Sequence, residues 1–329
     1  MPQSHFRIML AAIAASCSVL TFDAAQARGD ARSQFEGLVQ DARQATAARY
    51  QATDDKGNRM DTVKIIQDDT GGYLAVYHAE AGGSSNTYLA TSTDILTWKL
   101  AIELGKHATQ PYIYECSNHG FIVAWEEDPN NHIQLNYYPD RQALLSGKAT
   151  HTFNAPQTLS HCAEGTPSIY SVEFNTKPAD IMHSTIDVGG HYYRDCIADR
   201  QQRGTLTDFT AWKTAPADKF NDAIEAWGVK GNIGDRDSVT FKGQELTLIE
   251  GMQILGNWAT WGIYCYDPAT GKADRLGIST TKGSTAFANP SCTLLRAPDG
   301  RKAVLVTLFI PSEGSSPGES GELIYYKTY

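Results

Sequence analysis

Asp61-Thr62-Val63-Lys64-Ile65, Gln110-Pro111-Tyr112-Ile113, Thr166-Pro167-Ser168-Ile169, Asp237-Ser238-Val239-Thr240 and Asn289-Pro290-Ser291-Cys292 share one design: a short polar start, often X-Pro, running into a small apolar strand. The five recur roughly 50 to 70 residues apart. A turn and a second strand follow most of them, at Gly72 to His78, Gly120 to Trp125, Gln244 to Ile249 and Lys302 to Phe309. Third strands are predicted at Asn86 to Thr91, His132 to Tyr137, His191 to Ala198, Trp258 to Tyr266 and Glu322 to Tyr329. One small sheet cannot hide both faces, but sheets packed radially can. Five matched units of three or four strands therefore predict an all-β fold, a five-bladed β-propeller over residues 58–329. A β-sandwich has a shorter repeat and does not give five matched starts.

Upstream of the repeat, residues 31–50 are Ala-rich with few turn signals. They predict one helix packed on the outside, making 28–57 a partly helical N-terminal extension. Residues 1–27 have the pattern of a signal peptide: Arg7, a mostly apolar run from Ile8 to Phe22, and Ala25-Gln26-Ala27 as the cleavage site. The run is too short and too interrupted for a membrane span, and Cys17 follows Ala14-Ala15-Ser16, a poor lipobox. The expectation is a secreted or periplasmic protein with no membrane partner. A formal charge of -9 argues against nucleic acid as a partner. Downstream of Cys17 lie Cys116, Cys162, Cys196, Cys265 and Cys292, an odd set that fits one or two bridges and a buried free thiol. No C-x-x-C or H-x-x-x-H spacing occurs, so neither a metal nor another cofactor is expected. A monomer is expected.

In a propeller the innermost strands line a central channel, and their first residues reach its mouth. That places Asp61, Gln110, Glu164, Asp237 and Asn289 as ligand contacts. Turn chemistry is the competing account, since Asp, Asn and Pro favour tight turns in any protein. Arg236, beside Asp237, has the donors to hold a sugar hydroxyl or orient a carboxylate, or to form a rim salt bridge. His78 and Trp125 end second strands and are placed on the pocket wall. Trp125 offers either a stacking face or packing between blades.

Two segments resemble a known family. Ala163-Glu164-Gly165-Thr166-Pro167-Ser168-Ile169-Tyr170 resembles the E-G-P-x-I-Y start of the third blade in glycoside hydrolase family 43, the arabinanase, arabinofuranosidase and β-xylosidase group, with Thr166 inserted. Ser92-Thr93-Asp94-Ile95-Leu96-Thr97-Trp98 is similar to the S-x-D-L-x-x-W hairpin of propeller glycosidases, where the Asp is structural. The resemblance implies that Glu164 is the general acid and Asp61, opening blade one, the general base. Inverting enzymes hold two such carboxylates about 6.5–9.5 Å apart. Two positions depart from the family: Gln110-Pro111 replaces an Asp-Pro that tunes the acid, and Asn289 and Cys292 stand where a channel His is common. The resulting expectation is a glycoside hydrolase acting on arabinose- or xylose-containing poly- or oligosaccharide. A non-catalytic sugar-binding propeller, favoured by Gln110, and a protein-interaction propeller are the alternatives.

Overall fold

The computed structural model describes residues 29–329; the predicted signal peptide lies outside the described residues. Five four-stranded antiparallel sheets account for the strands. Their inner strands are Asp61–Gln67, Ala108–Glu115, Glu164–Phe174, Arg236–Phe241 and Ala288–Arg296. Each inner strand packs against the inner strands before and after it, and the fifth returns to the first. The five sheets thus close into the expected five-bladed propeller.

The cement between blades is apolar. Leu74, Val76 and Leu89 of blade one meet Ile113, Val123 and Trp125 of blade two. Equivalent clusters fill the joints between blades two and three, four and five, and five and one. Burial of such β-branched and aromatic side chains contributes about 25 cal/mol for each Å² removed from water. The Asp94 hairpin is structural as expected. Asp94 accepts from the backbone N–H of Leu96 (2.9 Å) and Thr97 (2.7 Å), and Trp98 is buried beneath.

Two sequence readings are corrected by the fold. The extension over 28–57 is not separate from the propeller. Its helix spans 29–40, placing Ala31, Phe35 and Val39 on one buried face against blades four and five. Ala47–Arg49 then pairs with Gly321–Thr328 as the outer strand of blade five. In blade three, Ser184–Arg194 is the second strand and Ala198–Thr207 the third, so 191–198 is the hairpin between them. The segment 200–231 supplies that third strand, the outer strand Ala211–Pro216 and the helix Asp218–Glu225, whose Phe220 stacks on Tyr266 of blade four at 4.3 Å. One bridge forms, Cys162–Cys196, while Cys116, Cys265 and Cys292 are buried thiols. No helix among the described residues is long and apolar enough to cross a membrane.

Candidate functional site

The inner strands begin with a repeated backbone device. Thr62, Gln110, Thr166 and Asn289 all have φ between 45° and 51°, and each lies at a register shift against the second strand. Such a bulge leaves two residues opposite one and re-aims the side chains around it. It makes equivalent positions easy to assign. Asp61 faces His78, Thr109 faces Glu126, Gly165 faces His191 and Ala288 faces Phe309. Blade four has no bulge, yet Asp235 faces Glu250 in the same way: Glu250 N–H donates to Asp235 O (3.1 Å), and Asp235 N–H to Glu250 Oε1 (2.8 Å). The mouth layer is therefore Asp61, Thr109, Gly165, Asp235 and Ala288. Only blades one and four, which flank blade five, place a carboxylate there.

The second-strand side chains brace this layer. Glu126 Oε2 accepts from Thr166 N–H (3.0 Å), Glu250 Oε2 from Asn289 N–H, and His78 Nδ1 from Gln110 N–H (3.4 Å). In each case the acceptor satisfies the strained residue at the start of the next blade. Gly165 is required here, because a Cβ would collide with the Glu126 carboxylate; Gly234 makes the same room for Glu250.

Asp61 keeps 30% of its side chain accessible, beside a cavity of about 700 Å³ between blades one and five. Asn289 Nδ2 donates to its Oδ1 (3.3 Å) and to Thr62 Oγ1 (2.7 Å); His78 Nε2 stands 3.9 Å from its Oδ2. Burial raises the Asp61 pKa, with His78 and Asn289 pulling it back. Asp235 is 8% exposed, and its Oδ1 accepts from Arg236 N–H (2.7 Å). Burial pushes Asp235 up to about 7, against the pull of Arg236. Burial, then the charge of Asp235, pushes Glu250 up to about 8. Glu322, on the third strand of blade five, is fully buried with both carboxylate oxygens unpartnered, and burial and Asp61 raise it well above its ordinary value. On the blade-three side, His191 Nε2 stands 3.6 Å from Asp199 and 3.9 Å from Glu126, and burial raises Asp199.

Glu164 does not join this layer. It stands one residue outside Gly165, is 3% exposed, and its Oε1 accepts the backbone N–H groups of Thr158 (2.5 Å), Leu159 and Ser160 (2.9 Å). Three donors on one oxygen make it the anchor of segment 158–160, outside the mouth layer where the acid was expected. Asp237 is likewise outside it. It lies one layer below the mouth and is fully buried. Its carboxylate accepts from Lys64 Nζ, Tyr112 OH (2.7 Å), Ser291 Oγ (3.0 Å), and the N–H groups of Ser238 (2.8 Å) and Cys292 (2.9 Å). Lys64, Tyr112, Ser168, Asp237 and Ser291 are equivalent positions, and together they plug the channel.

Arg236 is 1% exposed and donates to Thr166 O (2.9 Å) and Gly234 O (3.4 Å), tying blade three to blade four rather than reaching a ligand. Trp125 packs between blades one and two, its indole N–H donating to Glu127 (2.6 Å), so it is not a stacking face. Gln110, His78 and Asn289 do reach the mouth, and the buried Gln110 Oε1 lacks a partner. Two clusters of metal-ligating types lie elsewhere among the described residues. In His161–Cys162–Cys196 the sulfurs are joined, and Asp69–Glu115–His119 is at the opposite end of the channel.

No protein-family profile and no curated protein matches the chain in sequence. Solved structures match in shape. A structure described as a glycoside hydrolase aligns over 92% of this chain and 96% of its own at TM-score 0.60 and 9% identity. A thermostable family-43 glycoside hydrolase aligns over 84% and 92% at 0.53 and 12%. The Penicillium chrysogenum α-L-arabinanase complexed with arabinobiose aligns over 86% and 98% at 0.50 and 12%. At these identities the likeness is one of fold: this chain has the five-bladed propeller architecture shared by glycosidases of this type.

Proposed function

We propose that the protein is an exported glycoside hydrolase of arabinose- or xylose-containing polysaccharide, with Asp61 as general base and Asp235 as general acid. The observation that carries this reading is the mouth layer. Two of its five positions bear carboxylates, they stand on blades one and four, and burial pushes Asp235 to about 7. Two carboxyl groups in one mouth layer, one of them raised far enough to hold its proton, are what hydrolysis of a glycosidic bond needs. Asp61, ionised, takes a proton from water as its oxygen bonds to the anomeric carbon. Asp235, protonated, passes its proton to the departing glycosidic oxygen as the C–O bond breaks. Asn289 and His78 orient Asp61. The Asp235–Glu250 couple takes over the tuning that the expected blade-two Asp would supply. The sugar class rests on the named substrates of the fold's neighbours, and export on residues 1–27.

Hydrolysis of a panel of aryl-glycosides and polysaccharides by wild type, Asp235→Asn and Glu164→Gln tests this. Asp235→Asn is expected to lower kcat about 10²–10⁴-fold, the usual worth of a general acid, while Glu164→Gln keeps most of it. Loss in Glu164→Gln alone returns the acid role to Glu164. A second reading, saccharide binding without turnover, is favoured by Gln110 at the blade-two start. Saturable binding of a polysaccharide that no variant or wild type cleaves establishes it.

A further inference from the structure

Three of the six large apolar side chains exposed among the described residues fall within one five-residue stretch: Ile254, Leu255 and Trp258. The stretch joins the second and third strands of blade four, on the mouth face of the ring. It is held rigid by its own hydrogen bonds. Asn257 N–H donates to Ile254 O (3.0 Å), Thr260 N–H to Asn257 O (3.0 Å), Ala259 N–H to Asn257 Oδ1 (3.2 Å) and Ile254 N–H to Thr260 Oγ1 (3.1 Å). Trp258 is 49% exposed and lies 6.1 Å, centroid to centroid, from Trp261. Trp261 packs on Met252, Ala288 and Phe309, and the last two are the mouth positions of blade five. An aromatic shelf thus runs outward from the mouth between blades four and five. Its inner member carries an unspent donor: Trp261 is 5% exposed and its indole N–H has no partner.

We infer that this shelf is a glycan-binding subsite for sugar units beyond the cleavage point, so that the substrate is a polymer rather than a short glycoside; the inference rests on the saccharide reading of the mouth. An exposed indole face suits the apolar C–H face of a sugar ring, and the rigid loop spares the entropy of ordering it on binding. Residues 253–260 carry no charge, which suits a neutral chain and gives no hold on an anionic lipid surface. Three side chains on one short loop fall well below the roughly 800 Å² per partner of a stable protein contact. Continuity with the mouth places the bound chain with its reacting unit at Asp61 and Asp235.

The test compares wild type, Trp258→Ala and Trp258→Phe on an aryl-glycoside and on the polysaccharide cleaved best, with binding to that polysaccharide measured separately. In Trp258→Ala the ratio of polymer to aryl-glycoside kcat/KM should fall roughly tenfold, through KM, and polymer affinity by a similar factor. Trp258→Phe, which retains a stacking face, should recover most of both. Equal ratios and affinities in all three proteins overturn the shelf and leave the hydrolase reading standing. Polymer binding lost in Trp258→Ala, in a protein that cleaves nothing, keeps the shelf and overturns hydrolysis. Wild type that neither binds nor cleaves any polysaccharide overturns both. Monomerisation of a wild-type oligomer by Trp258→Ala, with glycan affinity unchanged, makes the shelf a contact between copies instead.

Discussion

The two top layers of the channel hold aspartates in opposite circumstances. Asp235, in the mouth layer, accepts a backbone N–H on one oxygen and is pushed to about 7 by burial. Asp237, two residues on and one layer down, is fully buried but has five donors, a lysine among them. Burial alone therefore does not mark a carboxylate as chemical. A carboxylate whose bonding capacity is filled by its own fold fixes structure, while one left short of partners keeps its proton to higher pH and can give it up.

The sharpest way to break this contrast is to remove the lysine. Lys64→Met leaves Asp237 buried without its countercharge and should cost about 3–5 kcal/mol in urea unfolding. Asp235→Asn should do the reverse. A raised folded-state pKa is a contribution to stability that is present below the ordinary carboxylate range and lost as pH rises through about 7. At pH 8 the Asn variant should thus be as stable as wild type or more so. Comparable losses in both variants would erase the distinction between the layers.

A pH profile sharpens it from the side of activity. kcat/KM should rise as Asp61 ionises, above its ordinary pKa near 4 because burial raises it, and fall again near 7 as Asp235 loses its proton. Asp235→Asn should flatten the alkaline limb and leave the acid limb. The smallest effect is expected at Glu164. Glu164→Gln retains an acceptor oxygen for Thr158, Leu159 and Ser160, so stability should drop by only about 1 kcal/mol. Faster amide exchange should be confined to those three residues; exchange spreading to the mouth strands would tie Glu164 to the site after all.

The blades were legible because the propeller marks their starts. A left-handed residue followed by proline makes the bulge, and Gln110-Pro111, Thr166-Pro167 and Asn289-Pro290 carry it in plain view. Blade four hides its mouth residue because it lacks the bulge. Aligning Asp237-Ser238 on the other starts sets the register two residues too deep and passes over Asp235, whose pairing with Glu250 shows only in the folded sheet. The inserted Thr166 misleads in the same manner, since it is the bulge residue itself and moves Gly165 into the mouth while leaving Glu164 outside. The third strand of blade three was missed for another reason. Asp199-Arg200-Gln201-Gln202-Arg203 shows no apolar alternation, because its polar side chains are spent on loop carbonyls: Gln201 on Ile233 O and Gly234 O, Arg200 on Gly231 O. The sequence reading starts blade four's third strand at Trp258, but the strand begins at Trp261 and Trp258 lies in the loop before it, because exposure is not written in residue type.

The pairing of Ala47–Arg49 with Gly321–Thr328 governs how the molecule can be built. The contact that shuts the ring joins segments more than 270 positions apart, so its loop-closure entropy falls on a late step. Until Gly321–Thr328 is available, Lys302–Ile310 presents an unpaired edge and Ala47–Arg49 has no strand to pair with. A growing chain can assemble the middle blades in sequence, but the mouth is completed by blades five and one, the last to meet. The geometry that brings Asp61 beside Asn289 therefore arises only when blade five packs on blade one, and a chain that lacks either blade holds parts of the site without the site itself.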